Sequence, residues 1–434
     1  MAADDQGACM ARLQAAVPAH PLLTLDRHRA VRCTAAVPAH TPLLSIPRRL
    51  LITADAGRVG PIGAKVAAAA PPLSNADHCF LALHLLCDAA DAASPHHPYY
   101  AALPAALPHS PLFWDTHRLQ WLRGSHTLQA LQRRKARIGA DYAAILAAAP
   151  ELRGTASLHD FTWARAIVAS RAFSLTLGSR KTHALVPLAD MLDHRSVPNA
   201  TWTGTPTGLV VAAAVPLAPG QEVHISYGNK CNSAFFLDYG FAVPRNAAHN
   251  RLLLHLPAPA PRLALWVGTS YAHPATQEAF SRMRTALATP AQLARRPAAG
   301  HCPPLSPENE IGALRALASR FALQAAVYPS SLEADSRELD MGGPLPAPSP
   351  VRRATLLLLQ GEKAVASFFV ALPGVVVPLL QSTWTREGAA IQARFAGPDS
   401  VAVYVRACVV PLLHQKAAEA AETKAIEAAA AQSK

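Results

Sequence analysis

The stretch LVPLADMLDHRSVPNATW (Leu185–Trp202), followed by GLVVAAAV (Gly208–Val215) and PGQEVHISYGNKCNSAFFLDYGF (Pro219–Phe241), decides the fold. Asp190, Asp193, His194 and Asn199 follow an apolar run, so polar groups are delivered at the end of a buried element. The run Glu222-Val223-His224-Ile225-Ser226 alternates polar with apolar residues and predicts a half-buried strand. Tyr227 closes it, followed at once by Gly228 and Asn229, and Tyr239-Gly240-Phe241 repeats the aromatic–glycine pairing. Strand ends and tight glycine turns are where a scaffold holds reactive groups rigidly while exposing them.

The pairing of ADMLDH (Ala189–His194) with ISYGNKCNSAFFLDYGF (Ile225–Phe241) resembles the C-terminal half of a SET domain. More narrowly it is similar to the Rubisco large-subunit methyltransferase-like branch, whose pattern is roughly D-x-x-N-H, Y-G/D-x-K/R-x-N-x-x-F/L, then Y-G-F. Ser170-Arg171-Ala172-Phe173 matches the R-S-R-A-F signature before that half. The resemblance implies an α+β chain: a β-rich SET fold split by a helical insert, followed by an α-helical substrate-binding domain. It spans about residues 20–380 and is dense only at 161–243.

Outward from that stretch, 434 residues with 51% apolar side chains suffice for two or three domains. The net charge of +12 allows an acidic partner but suits a merely soluble basic protein better. Seven scattered cysteines without a C-x-x-C pair argue for reduced thiols and against a zinc cluster, so no metal is expected. The N-terminus lacks an apolar signal region, and the run Ala364–Leu380 is interrupted by Pro373, Gly374 and Pro378. The expectation is a cytoplasmic monomer with no membrane contact, nucleus and plastid remaining open.

Residues 20–60 read as short strands with Pro-containing turns, the N-terminal SET half. The segment aligned with the family's glycine-rich cofactor loop is Arg27-His28-Arg29-Ala30, with no glycine. The insert, about 65–170, is helical; Cys79, Phe80, Leu83, Leu86 and Cys87 recur at helical spacing and read as core. Residues 117–138 carry six cations and no acid, a solvated helix face rather than a nucleic-acid patch, since stacking aromatics are not interleaved. Helix is predicted from Phe161 through Leu175, and a buried strand at 184–188. The C-terminal SET half takes 171–245. Beyond it, 246–434 reads as strands or connectors at 244–268, a loop at 285–307 and helices at about 307–327, 350–372 and 410–431. Ser306-Pro307 supplies an N-cap and a first-turn proline.

The resemblance implies S-adenosyl-L-methionine as cofactor and, as partner, a non-histone protein bearing a target lysine. At least one animal member of the branch methylates a histidine instead. Residue by residue, it makes Tyr227 the catalytic tyrosine and places Arg171, Asp193, His194, Tyr239, Gly240 and Phe241 about the cofactor. Asp190 lies near the substrate. Asp193 stands where the family usually has Asn. Methyl transfer to an amine needs alignment and electrostatics but no metal and no covalent intermediate. The glycine-free loop keeps a second reading open, a SET-fold interaction module without activity. A basic nucleic-acid-binding protein, resting on 117–138 alone, is a third.

Overall fold

The computed structural model describes residues 22–26, 30–256, 263–294, 300–340, 348–382 and 391–432. It divides into two compact units. The first comprises residues up to 115, 129–230 and 237–240; the second comprises 116–128, 231–236 and 241 onward.

The first unit is built from small sheets. β1 (Leu23–Leu25) and β2 (Val31–Cys33) form a hairpin. Ahead of β2, Asp26 donates its N–H to the Ala30 carbonyl at 3.0 Å, and its Oδ1 accepts the Ala30 N–H at 3.0 Å. An acidic side chain thus ties Asp26 to Ala30; Arg27, His28 and Arg29, the centre of the glycine-free segment, lie outside the described residues. β3 (Pro42–Pro47), β9 (Gly208–Ala213) and β8 (Ala200–Thr205) form an antiparallel sheet in the order β3-β9-β8. Gly208 starts β9 because a Cβ there would meet the Ile46 carbonyl oxygen at 2.0 Å. A second sheet runs β4-β6-β5, from Ile52–Thr53, Arg180–Leu185 and Ala172–Leu177.

Two sequence expectations change here. The helix ends at Arg171, not Leu175, because Phe173, Leu175 and Leu177 alternate inward and pair as β5 against β6. The predicted strand at 184–188 stops at Leu185, and Leu188 takes φ 71°, a left-handed turn. In the run 222–226, Glu222 forms an isolated antiparallel bridge with Arg32, and β10 (His224–Ile225) pairs in parallel with β7 (Asp193–His194). That pairing brings the two halves of the motif side by side.

The insert helices follow sequence-level rules. Asn75 caps Ala76–Asp88, accepting the His78 N–H at 3.1 Å, and Cys79, Phe80 and Leu83 are buried while Cys87 is half-exposed. Ser157 and Asp160 form a reciprocal capping box on Leu158–Arg171. A cap of this kind is typically worth ~1 kcal/mol and fixes where the helix begins, hence where Arg171 emerges at its end.

The second unit holds β11 (Leu252–Leu256) against β12 (Leu263–Val267), with helices at Pro274–Ala286, Pro307–Ala325, Pro350–Gln381 and Val410–Gln432. Ser306 caps the second of these helices, accepting the Asn309 N–H at 3.2 Å. The third does not stop near 372 but continues through Pro373 and Pro378 to Gln381. By length and composition it could cross a membrane. Its Val365, Phe369, Leu372, Val376 and Leu380, however, lie in the unit's core, where Phe369 stacks on Phe321 at 4.4 Å. In that core Arg284 is fully buried, bonded to both oxygens of Glu310 at 2.6 and 2.7 Å.

Candidate active site

The parallel pairing of β7 with β10 fixes the middle of the site. The Tyr227 N–H donates to Nδ1 of His194 at 3.0 Å, and their rings lie 5.3 Å apart. Burial lowers the pKa of His194, so its Nδ1 remains an acceptor at neutral pH. The role of that side chain is to brace the tyrosine backbone. Asn199 braces the same strand from its other side, donating to the Glu222 carbonyl at 2.8 Å and accepting the His224 N–H at 2.7 Å.

The Tyr227 hydroxyl donates to the Leu192 carbonyl at 2.7 Å. Burial first, and Asp193 second, push its pKa up, so the phenol stays protonated. The Tyr239 ring lies 4.8 Å from the Tyr227 ring, its own pKa raised to about 12 by burial. Gly240 follows at φ +78, and a Cβ there would meet the His109 carbonyl oxygen at 2.6 Å, so glycine is required on packing as well as conformation.

At the end of the capped helix, Arg171 Nη1 donates to the Asp190 backbone carbonyl at 3.1 Å and to its Oδ2 at 3.0 Å. Tyr99 Oη donates to the same Oδ2 at 2.9 Å. Asp190 Oδ1 is buried and, among the described residues, has no hydrogen-bond partner. Burial pushes this carboxyl up, and Arg171 opposes the shift. Burial also opposes charge on Arg171, but Asp190 more than offsets it and keeps the guanidinium charged.

These groups share one cleft of about 300 Å³. Arg171, Asp190, Tyr227 and Tyr239 line it, joined by Phe173, Trp202, Leu192, Ile225 and Lys230. Phe173 and Trp202 meet edge to face at 5.2 Å. Sequence reading did not single out Tyr99, Phe173, Trp202 or Lys230 as site residues. Phe173 was read only as part of the Ser170–Phe173 signature, and Trp202 only as the end of the first motif stretch.

Of the expected site residues in the first unit, Asp193, His194 and Gly240 do not line this cleft. Asp193 is exposed on β7, where the surrounding protein and then the Glu222 carboxylate raise its pKa. Phe241 belongs to the second unit and stacks on Phe235 with ring centroids 5.2 Å apart.

Comparison with solved structures decides the fold. The chain superposes on the crystal structure of the SET domain of LSMT bound to MeLysine and AdoHcy with a TM-score of 0.72, at 20% identity. The match covers 87% of this chain and 93% of that one. The structure of Rubisco LSMT bound to AdoMet matches with a TM-score of 0.67 at 19% identity, covering 86% and 93%. Residues 259–365 match the Rubisco LSMT substrate-binding family. The chain has the fold of the Rubisco LSMT SET-domain structures, and its segment 259–365 matches the substrate-binding family of the same name.

Among curated relatives, the actin-histidine N-methyltransferase of Danio rerio is 27% identical over 249 residues, 53% of this chain and 40% of the relative. The enzyme of the same name from Homo sapiens is 26% identical over 244 residues, 52% of this chain and 39% of the relative. The chain therefore spans less than half the length of these curated relatives.

Proposed function

We propose that this chain is a protein methyltransferase that uses S-adenosyl-L-methionine to methylate a lysine side chain of a non-histone protein. The observation that carries the reading is the cleft, where a protonated tyrosine hydroxyl, a backbone carbonyl and a buried carboxylate oxygen are held among aromatic walls.

The donor set fits the cofactor's chemistry. Arg171 suits its carboxylate, Asp193 its ammonium, and the Tyr239–Gly240 turn a planar ring, with His194 acting through its backbone. When bound, the cofactor supplies an electrophilic methyl on a sulfonium, open to in-line displacement. The remaining chemistry falls to the protein. A lysine amine, with pKa near ~10.4, must lose its proton before it can attack. Phe173, Trp202, Leu192 and Ile225 form an apolar sleeve, which disfavours the ammonium. Aromatic ring faces and Asp190 receive the cation on entry, before that proton leaves. A protonated phenol is both donor and acceptor, so Tyr227 Oη orients the amine while bonded to the Leu192 carbonyl. It is not a base, because its proton is held too tightly. The helical second unit binds the acceptor protein, a role supported by the description of the family matched at 259–365.

A second reading, histidine as the acceptor, draws support from the names of the curated relatives. Asp190 Oδ1 could hold the far N–H of an imidazole. The aromatic and aliphatic sleeve favours lysine, whose four-carbon stem has no polar atom to satisfy. Incubation of the protein with labelled S-adenosylmethionine and a cell lysate, followed by mass spectrometry, separates the two. Label on lysine is expected; label on histidine overturns the acceptor. No label together with no S-adenosylhomocysteine binding overturns the enzyme in favour of an interaction module.

A further inference from the structure

Away from the cleft, three side chains of the first unit converge in a way that no methyl-transfer role uses. His84 and Asp88 lie one turn apart on the helix Ala76–Asp88, on the same face. The chain then turns back, with Asp91 N–H donating to the Asp88 carbonyl and Ser94 N–H to the Asp91 carbonyl, both at 3.1 Å. This returns His96 to the helix it has just left. His84 Nε2 and His96 Nδ1 each lie 3.8 Å from Asp88 Oδ2. One ligand atom from each of the three residues falls within 4.8 Å of the others.

The carboxylate is already oriented. Ser94 Oγ and Tyr100 Oη each donate to Asp88 Oδ2 at 2.7 Å, so its aim does not depend on either imidazole. Among the described residues His84 Nε2, by contrast, is buried with no hydrogen-bond partner. An unpaired buried polar atom is destabilising, and a ligand bound there would recover that loss.

We propose that His84, Asp88 and His96 bind a divalent cation of the zinc class. Zinc bonds of about 2.0–2.2 Å put tetrahedral ligand atoms about 3.3–3.5 Å apart. The two 3.8 Å separations therefore close by a few tenths of an ångström, and all three ligand atoms already lie within 4.8 Å of one another. Nitrogen-rich ligands suit zinc over calcium or magnesium, which favour oxygen. A cavity of about 460 Å³, lined by Gly57, Ile62, Leu83, His84, Cys87 and Asp88, gives the ion a way in and leaves room for water as fourth ligand. Ser94 and Tyr100 act as outer-shell donors. Bound metal ties the insert helix to the loop that follows it.

The test uses the full chain, stripped with a chelator and titrated with Zn²⁺ against a chromophoric competitor. One equivalent is expected to bind and to raise the melting temperature. His84→Gln and His96→Gln should each weaken that equivalent at least tenfold, and Ser94→Ala by about 10–100-fold. His301→Ala, at an exposed histidine elsewhere, should leave it unchanged. Circular dichroism of the metal-free variants establishes that they fold. Failure of the natural chain to bind an equivalent overturns the site, as does an equivalent retained by the His84→Gln/His96→Gln double variant.

Discussion

Asp190 in the first unit and Glu362 in the second are both buried carboxylates, and their surroundings treat them oppositely. Glu362 faces four hydroxyls: Ser125, Thr127 and Ser233 donate to Oε1 at 3.0, 2.8 and 3.3 Å, and Tyr328 donates to Oε2 at 2.8 Å. Both oxygens are satisfied, which is the arrangement of a core that must specify one packing. Asp190 has a guanidinium and a phenol on one oxygen and, among the described residues, no partner on the other, and it lines a cleft. Burial alone therefore does not separate structure from function. A buried polar atom left unsatisfied beside open space does.

The sharpest way to break the comparison is a matched pair of hydroxyl deletions. Tyr227→Phe should fold with a stability change under about 1.5 kcal/mol, since one neutral hydrogen bond is lost, and should reduce methyl transfer by about 10²-fold or more. Tyr328→Phe should do the reverse, costing about 1.5–3 kcal/mol by stripping Glu362 of a donor. Urea denaturation together with turnover of labelled cofactor measures both. Tyr227→Phe activity within threefold of the natural chain would refute the assignment of that residue.

A smaller effect sharpens the role of Glu362. Burial raises its carboxyl pKa, and the hydroxyl donors only partly oppose this. A raised folded-state pKa contributes stability that is fully present below about pH 4.3, the ordinary glutamate value, and is lost as pH rises through the folded pKa. Glu362→Gln cannot ionise. It should cost about 1 kcal/mol at pH 5 and less at pH 8, as measured by melting at both. An unchanged gap would mean that Glu362 titrates alike folded and unfolded.

What sequence made legible followed local rules. The Ser306 cap and the hydrophobic strand at Gly208–Ala213 are written in neighbouring residues. The pairing of ADMLDH with the Tyr227 segment was legible as a motif, but its cause, the two-residue parallel contact of β7 with β10, was not. So short a contact has no periodicity to detect. Tyr99 reaches Asp190 across 91 positions, and no spacing rule bridges such a separation. The Pro350–Gln381 helix outran its expected end because core contacts at Val376 and Leu380 override the usual effect of Pro373 and Pro378. The helix ending at Arg171 was overextended because Phe173 and Leu175 fit both a helical and an alternating pattern.

The finest test contrasts two carboxylates three positions apart. Asp190 is buried against Arg171, and its charge is built into the cleft. Asp193 is exposed, and the protein around it, with Glu222, raises its pKa. The family usually has Asn at this position. An Asn keeps a carbonyl acceptor for the cofactor's ammonium and removes the repulsion with Glu222. An Asp makes that hydrogen bond charge-assisted, but part of the gain is offset when the carboxylate is desolvated on binding. These effects oppose one another, so Asp193→Asn should change S-adenosylhomocysteine affinity by less than about tenfold, or ~1.4 kcal/mol. Asp193→Ala removes the acceptor outright and should cost about 1.5–3 kcal/mol. Calorimetric titration of both variants decides. Should Asp193→Asn create binding that the natural chain lacks, the aspartate is a lesion at the cofactor site and the interaction-module reading replaces the enzyme.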